Sequence, residues 1–415
     1  MPDVTTMRCS LCERHFSPLE VSSTCPVCGE VGTLDVLYDY AHLKATYDRD
    51  ALSASRESSL WRYKSLLPVD PDGQVPPLFV GGTPLYHAPR LAMEFGLPQV
   101  WVKDDSRNPT GSLKDRASTV IVARALQANI PVVATASTGN AAAALAGVSA
   151  SVEGIRAVIF VPASAPEAKI AQLLVYGADV VLIEDSYDVA FDLCTQVCTE
   201  QGWYNRSTGI NPYTAEGKKT VAYEIAEGLG WTVPDVVMVS VGDGNILAGI
   251  HKGFYDLYEL GWIQRIPRLI GVQAIGSSPL YQAWKAGTQA EDMRSVDVHT
   301  LADSISAGLP RDRAKALRAV RQTQGAFVTV SDDEIIAAIP PLARFTGVFA
   351  EPAASAVYAG AKRALELGYI EPAETVVLVI TGSGLKDIRR AQQSVGEARR
   401  AAPTLSAVRR ALGLT

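Results

Sequence analysis

No run of apolar residues in this chain approaches the ~18 that would suggest a membrane span, and the opening stretch MPDVTTMRCSL lacks the apolar core of a secretory signal. The compartment expected is therefore cytoplasmic, with no membrane partner. Basic residues are not in excess: 38 lysines and arginines against 44 aspartates and glutamates leave a formal charge of −6. Binding to a phosphate backbone rests on clustered cations, so no nucleic-acid partner is expected. No 20–50-residue period marks a solenoid. With 47% apolar and 20% charged residues, nothing suggests disorder, and 415 residues suffice for two or three packed domains.

Cysteine is scarce and unevenly placed. Cys9 and Cys12 form CSLC, Cys25 and Cys28 form CPVC, and twelve residues separate the pairs. Four thiolates so spaced can surround one zinc ion, and a segment too small for its own core gains folding energy from the metal. With all four positions filled by protein the zinc would be structural. The competing reading is a set of reduced structural or redox thiols. Cys194 and Cys198, four apart on an expected helix, read as buried small apolar residues.

After this segment, LYDYAHLKATY and LWRYKSLLPV read as short helices or arms, and GGTPLYHAP as a turn. Strand-like runs then follow: VWVKDD, VVATAS, AVIFVP, DVVLIED, DVVMVSVG, LIGVQA and TVVLVITG. Helical patterns such as DRASTVIVARALQAN, GNAAAALAGVSASVEG and SYDVAFDLCTQVCTEQG separate them. Apolar strands without alternation, each followed by a helix, indicate parallel sheets covered on both faces. The expected fold class is α/β: two open, twisted, mainly parallel sheets covered by helices, a cofactor in the cleft between them, and a small N-terminal zinc ribbon. The expected boundaries are 1–38 for the ribbon and 39–104 for an arm and the start of the larger α/β domain. A smaller α/β domain covers 105–225, the rest of the larger one 226–395, and a helical tail 396–415. Arginine pairs at 389, 399 and 409 are expected to face solvent on a terminal helix.

Three loops that follow strands carry chemistry. Gly242-Asp243-Gly244-Asn245-Ile246 runs from a strand into a helix, so backbone N–H groups and the positive helix end can converge on a phosphate. Its GxGxxxxG spacing, with no acid ending the next strand, argues against a dinucleotide, and a turn serving only tight packing is the alternative. Ser137, Thr138, Gly139 and Asn140 open an alanine-rich helix and suit a carboxylate, Asn140 also reaching a ring oxygen; a plain N-cap is the alternative. Thr381 precedes Gly382-Ser383-Gly384 and can offer one neutral hydrogen bond to a heteroaromatic nitrogen, a capped turn being the alternative. A lone amine, Lys114, sits in NPTGSLKDRAS between turn formers and helix formers. Phosphate cradle, carboxylate site, neutral ring partner and amine together suit pyridoxal phosphate, whose aldehyde an unprotonated lysine would capture.

Over nearly its whole length the chain resembles the threonine synthases, of the tryptophan synthase β-like group of pyridoxal phosphate enzymes. The matching segments include GGTPL, KDDSRNPTGSLKDR, ASTGNAAAA, INPYTAEGKKTVAYEI, VSVGDGNILAGIHKGF, GVFAEPAASA and VLVITGSGLKD. The resemblance implies Lys114 as the Schiff-base lysine and Asn140 as partner of the ring hydroxyl. It implies Gly242, Asp243, Gly244, Asn245 and Ile246 as the phosphate loop, Thr381 beside the pyridine nitrogen, and Ser137, Thr138 and Gly139 at the substrate carboxylate. The implied reaction takes O-phospho-L-homoserine and water to L-threonine and phosphate, in a homodimer.

Departures from the pattern concern the substrate. Many members have NPYR, whose arginine helps hold the leaving phosphate, where this chain has Asn211-Pro212-Tyr213-Thr214. Arg206, Lys218 or Lys219 could substitute, each being otherwise a surface charge. Ser383 replaces a histidine, and Leu113 and Ala117 also depart. The alternatives are a cysteate synthase-like enzyme acting on phosphoserine, a serine/threonine dehydratase, or a non-catalytic zinc-ribbon binding protein.

Overall fold

The computed structural model describes residues 4–21 and 23–414. Residues 1–3 and 22 of the expected ribbon and residue 415 of the expected tail lie outside the described residues. The chain begins with a three-stranded antiparallel sheet, β1 (Val4–Cys9), β2 (His15–Phe16) and β3 (Leu34–Tyr38), in the order β2-β1-β3. Short helices α1 (Tyr40–Thr46) and α2 (Arg49–Ala54) follow, capped by Asp39 and Asp48, and then a 3-10 stretch over Leu60–Leu66.

The larger α/β domain starts with β4 (Leu85–His87), α3 (Pro89–Phe95) and β5 (Gln99–Asp104), and α4 (Lys114–Gln127) leaves it. The smaller domain alternates β6 (Val132–Ala136), α5 (Asn140–Ala150), β7 (Arg156–Pro162), α6 (Glu167–Val175), β8 (Asp179–Ile183), α7 (Tyr187–Gln201) and β9 (Tyr204–Asn205). Helices α8 (Tyr213–Lys218) and α9 (Thr220–Gly228) return the chain to the larger domain. There β10 (Val236–Ser240), α10 (Asn245–Glu259), β11 (Arg268–Ala274), α11 (Pro279–Ala286), α12 (Arg313–Gln322), β12 (Ala326–Val330), α13 (Asp332–Thr346), α14 (Pro352–Glu366) and β13 (Thr375–Ile380) follow. Two helices close the chain, α15 (Ile388–Gln393) and α16 (Leu405–Leu412).

The six-stranded sheet has the order β12-β11-β10-β13-β5-β4, parallel except for β4, and the four-stranded sheet has the order β8-β7-β6-β9, all parallel. Every residue of β6 and β10 is buried, as expected for strands with helices on both faces. The α/β class with mainly parallel sheets agrees with the reading of the apolar runs. Strand β12 was not among the expected strands: AFVTV begins just after α12 ends, so it reads as a continuation of the helical run RAKALRAVRQ. The tail is helical only over Leu405–Leu412. Arg399 and Arg400 stand outside any helix, because Pro403 disfavours helix in the residue before it and Thr404 caps a new start. Cys194 and Cys198 are buried on α7, as their spacing suggested. Among the described residues no helix is long and apolar enough to cross a membrane.

One buried ion network holds the segment before α4 in place. Arg116 is fully buried; its Nε donates to Asp105 at 2.6 Å, and its Nη2 donates to Asp105 at 2.8 Å and Glu224 at 2.8 Å. Lys103 in β5 donates to the same Glu224 at 2.6 Å. Burying these charges is tolerable because each one meets several partners. The network therefore joins β5, α4 and α9 around the start of α4.

Candidate active site

Strands β10, β13 and β5 lie side by side and run the same way, with Met238 opposite Leu378 and Ile380 opposite Asp104, so their carboxyl ends share one edge. From β10 the chain moves outward to β11 and β12, while β13 lies on its other side. The strand order reverses between β10 and β13, and such a reversal opens a crevice at the carboxyl ends. The Gly242 turn follows β10, Thr381 follows β13, and the loop that ends in Lys114 follows β5. Leu113 N–H donates to the Thr381 carbonyl at 2.9 Å and Ser383 N–H to the Gly111 carbonyl at 2.9 Å, which ties the lysine loop to the Thr381 loop.

In the turn after β10, Gly244 has φ +88, and a Cβ there would lie 2.7 Å from Ala316 Cβ. A Cβ on Gly242 would lie 2.9 Å from Ile305 Cα. The turn therefore needs glycine at both places. Asp243 is turned away from the opening: its carboxylate accepts from Arg311 N–H at 3.2 Å and its carbonyl from Asp312 N–H at 2.9 Å. The first N–H groups of α10 have no intrahelical acceptors and face an anion position at the helix start. Asn245 is buried, donates to Thr214 Oγ1 at 3.3 Å and to the Asp312 carboxylate, and accepts from Lys218.

The smaller domain contributes the loop after β6. Gly139 N–H donates to Ser137 Oγ at 3.2 Å, and Asn140, the first residue of α5, donates across the cleft to the Glu351 carboxylate at 2.9 and 3.1 Å. A cavity of about 500 Å³ opens there, lined in part by Thr138, Gly139, Asn140, Glu351, Ser383 and Lys386. Lys114 and the Gly242 turn are not among its lining residues. Glu351 connects the two regions, bonded to Asn140 and close enough to Lys114 to favour its charged form.

Lys114 is half-buried. Burial is the main reason its amine is held below the usual lysine range; Arg206 and Lys386 lower it further, and Glu351 and Asp243 oppose them. Asp115 beside it accepts from Thr110 N–H at 2.7 Å and is pushed up to about 6 by burial.

The three cations considered as substitutes for the missing arginine are not surface charges. Arg206, Lys218 and Lys219 are all buried. Lys219 faces another way, pairing with Glu216 at 2.6 Å and Asp256 at 2.8 Å over the Tyr38 ring. Thr214 is buried too, and its hydroxyl donates to the Asn211 carbonyl at 2.9 Å. Glu351 had no role assigned from sequence, although EPAAS lay within a matching segment. Only the fold places it opposite Asn140.

At the other end of the chain, the Cys9, Cys12, Cys25 and Cys28 sulfurs lie within 4.8 Å of one another, and Cys12 Sγ is 3.8 Å from Cys25 Sγ. A tetrahedral zinc with Zn–S bonds of about 2.3 Å has S–S edges of about 3.8 Å. The segment docks on α12: Asp35 accepts from Arg318 at 2.6 Å, and Lys315 donates to the Leu34 carbonyl at 2.6 Å.

A family model described as pyridoxal-phosphate dependent enzyme matches residues 77–382. A threonine synthase of Methanocaldococcus jannaschii is 38% identical over 382 residues, 92% of each chain. Another, of Methanosarcina acetivorans, is 40% identical over 384 residues, again 92% of each. In fold, the chain is similar to a threonine deaminase of Solanum lycopersicum (TM-score 0.64, 23% identity, 76% of this chain and 88% of that one). A fungal L-serine ammonia-lyase of Rhizomucor miehei is similar to the same degree (TM-score 0.65, 22% identity, 75% and 96%).

Proposed function

The chain belongs to the pyridoxal-phosphate dependent enzymes and, within them, to the threonine synthases, and on that premise we propose that it converts O-phospho-L-homoserine and water to L-threonine and phosphate. What supports the site assignment is that the Gly242 turn, the Thr381 loop and the loop ending in Lys114 follow three adjacent parallel strands at one sheet edge. The residues fit the cofactor: the turn leads straight into α10, whose first N–H groups lack intrahelical acceptors, and an amine of lowered basicity is close enough to feel the Asp243 charge.

When bound, pyridoxal phosphate supplies an aldehyde that condenses with amines and a ring that withdraws electrons from the substrate's carbons. The N–H groups of Gly242 to Ile246 would hold its phosphate, Asn140 its ring hydroxyl, and Thr381 its pyridine nitrogen. Ser137, Thr138 and Gly139 would hold the substrate carboxylate at the start of α5. Lys114 Nζ would be the attachment point, and as a free amine the base that takes the proton from the substrate's Cα. Over the whole reaction the Cγ–O bond breaks and phosphate leaves with its electron pair. Cβ gives up one of its protons, the oxygen of water takes that place on Cβ as water releases a proton, and Cγ gains a proton. Phosphate and threonine released from O-phospho-L-homoserine, with little from O-phosphoserine, is the expected result; the reverse preference would overturn the substrate assignment.

Thr381 cannot protonate the pyridine nitrogen, which moderates the ring's electron demand and favours elimination and replacement over transamination. Thr381→Asp is expected to raise keto-acid formation relative to threonine. An unchanged product ratio would remove the electronic role given to Thr381.

The four N-terminal cysteines are read as a structural zinc site, and the working assembly as a homodimer. Metal analysis should find one zinc per chain, and chelation should lower Tm by roughly 5–10 °C, since the docked segment then loses its internal cross-link. Metal-free protein with unchanged Tm would leave the thiols without that role.

A further inference from the structure

The smaller domain carries a buried cation that none of the roles above uses. Arg206 lies one residue past β9, where its N–H donates at 2.7 Å to the Ala134 carbonyl of β6, the strand that leads into Ser137-Thr138-Gly139. The side chain is fully buried. Its Nε donates to Ser118 Oγ at 3.2 Å and its Nη1 to Thr208 Oγ1 at 3.4 Å, while Nη2 has no partner. Among the described residues no carboxylate lies within ion-pair distance of it. Ser118 is four residues beyond Lys114 on α4, so the guanidinium lies along the helix face that presents the reactive amine.

Lys218 stands near both cations and donates to Asn245 in the turn. Burial, then Arg206, then Lys114 hold it well below the ordinary lysine range, and burial holds Arg206 down to about 10. Asp115 partly offsets the effect on Arg206, and Asp312 and Asp243 that on Lys218, but among the described residues none forms an ion pair with either cation, and each is hydrogen-bonded elsewhere: Asp115 with Thr110, Asp243 with Arg311 N–H, and Asp312 with Asn245. Buried like charges without paired counter-ions are costly, and the cost is recovered when an anion enters. The glycine turn already accounts for one phosphate, that of the cofactor.

We propose that Arg206, flanked by Lys218, forms a second anion subsite that takes the dianionic phosphate of the substrate and so determines specificity. This rests on the reading of the chain as an enzyme of O-phospho-L-homoserine. Thr214, in the place where many relatives carry arginine, has its hydroxyl committed to Asn211 and Asn245. The positive charge is delivered from the end of β9 instead, eight positions earlier in the chain. A guanidinium can grip phosphate through two parallel N–H donors, a geometry that a lysine cannot reproduce.

The test uses the cofactor-loaded enzyme and its Arg206→Gln and Arg206→Lys variants, titrated with inorganic phosphate by calorimetry and assayed for KM. Arg206→Gln should keep cofactor absorbance and affinity while weakening phosphate binding and raising KM for O-phospho-L-homoserine by roughly 100-fold, with Arg206→Lys in between. In phosphate-free buffer Arg206→Gln should melt higher than the parent, and added phosphate should raise Tm of the parent alone. Unchanged phosphate affinity and KM in Arg206→Gln overturn the subsite, as does selective loss of the cofactor, which would assign Arg206 to the cofactor's own phosphate. If the parent binds phosphate through Arg206 yet turns over no O-phospho-L-homoserine, the subsite stands and the proposed reaction fails.

Discussion

Replacing Lys114 by alanine is expected to lower threonine formation by roughly 10⁴-fold or more, because one side chain supplies both the attachment point and the base. Lys114→Arg should be nearly as inactive: it keeps a cation of similar length, but a guanidinium does not give up its proton near neutral pH. An ordinary lysine, with a pKa of about 10.4, is mostly protonated at pH 8. Burial lowers that of Lys114, so the amine is neutral at a lower pH than a solvated one would be. The identity of the residue can be read directly by borohydride reduction of the loaded enzyme followed by peptide mapping. The label should fall on the peptide that contains Lys114 and be absent from the alanine variant. Lys218 and Lys386 are the neighbouring amines whose charges reach Lys114. A label on either would overturn the assignment of the three loops as well as that of the lysine, since the loops were oriented around it.

Arg116→Ala is expected to destabilise the fold by about 3–5 kcal/mol, the usual cost of leaving buried carboxylates without their cation. Asp105 loses two charge-assisted bonds and Glu224 keeps only Lys103 as a charged partner. Burial alone would push Glu224 up, but Arg116 and then Lys103 outweigh it and hold the carboxyl well below its usual range. A depressed carboxylate stabilises the native state above its unfolded pKa and loses that contribution as pH falls through the folded one. The gap in stability between parent and variant should thus be full above about pH 4.3 and narrow under acid. Denaturant melts at neutral and low pH measure it. A difference below about 1 kcal/mol at neutral pH would mean that the network does little for the fold. Arg116 is two residues from Lys114, so cofactor affinity should fall together with stability.

The contrast between these two residues shows what could be read in advance. Lys114 was legible because its neighbours in sequence, turn formers before and helix formers after, already describe a loop feeding a helix. The four cysteines were legible because ligand spacing is local. The turn at Gly242 to Gly244 was legible as a strand-to-helix turn because a glycine pair between an apolar strand and a helix leaves few other conformations. Arg116 stood in a quoted motif with no role, since one of its partners, Glu224, lies 108 positions away. Arg206 and Lys218 were weighed as substitutes for a phosphate-holding arginine or else as surface charges, the latter because charged residues are seldom fully buried, and the sequence could not decide between them. Strand β12 was missed because it follows so closely on the helical run of α12 that nothing local sets it apart.

By itself the sequence determined most of the strands and long helices of the α/β body, that these strands are mainly parallel and covered on both faces, and which loops carry residues suited to an anion, a carboxylate and an amine. These follow from periodicity and from the conformational limits of glycine, hydroxyl and apolar residues over a few positions. Only the tertiary structure decided that β5, β10 and β13 are neighbours, that Asn140 meets Glu351 across the cleft, and that Arg206 and Lys218 are buried close enough to Lys114 for their charges to interact. Those outcomes depend on which sheet edge each strand joins and on which charges are drawn inside with it, and the free energies involved belong to contacts between residues far apart in the chain.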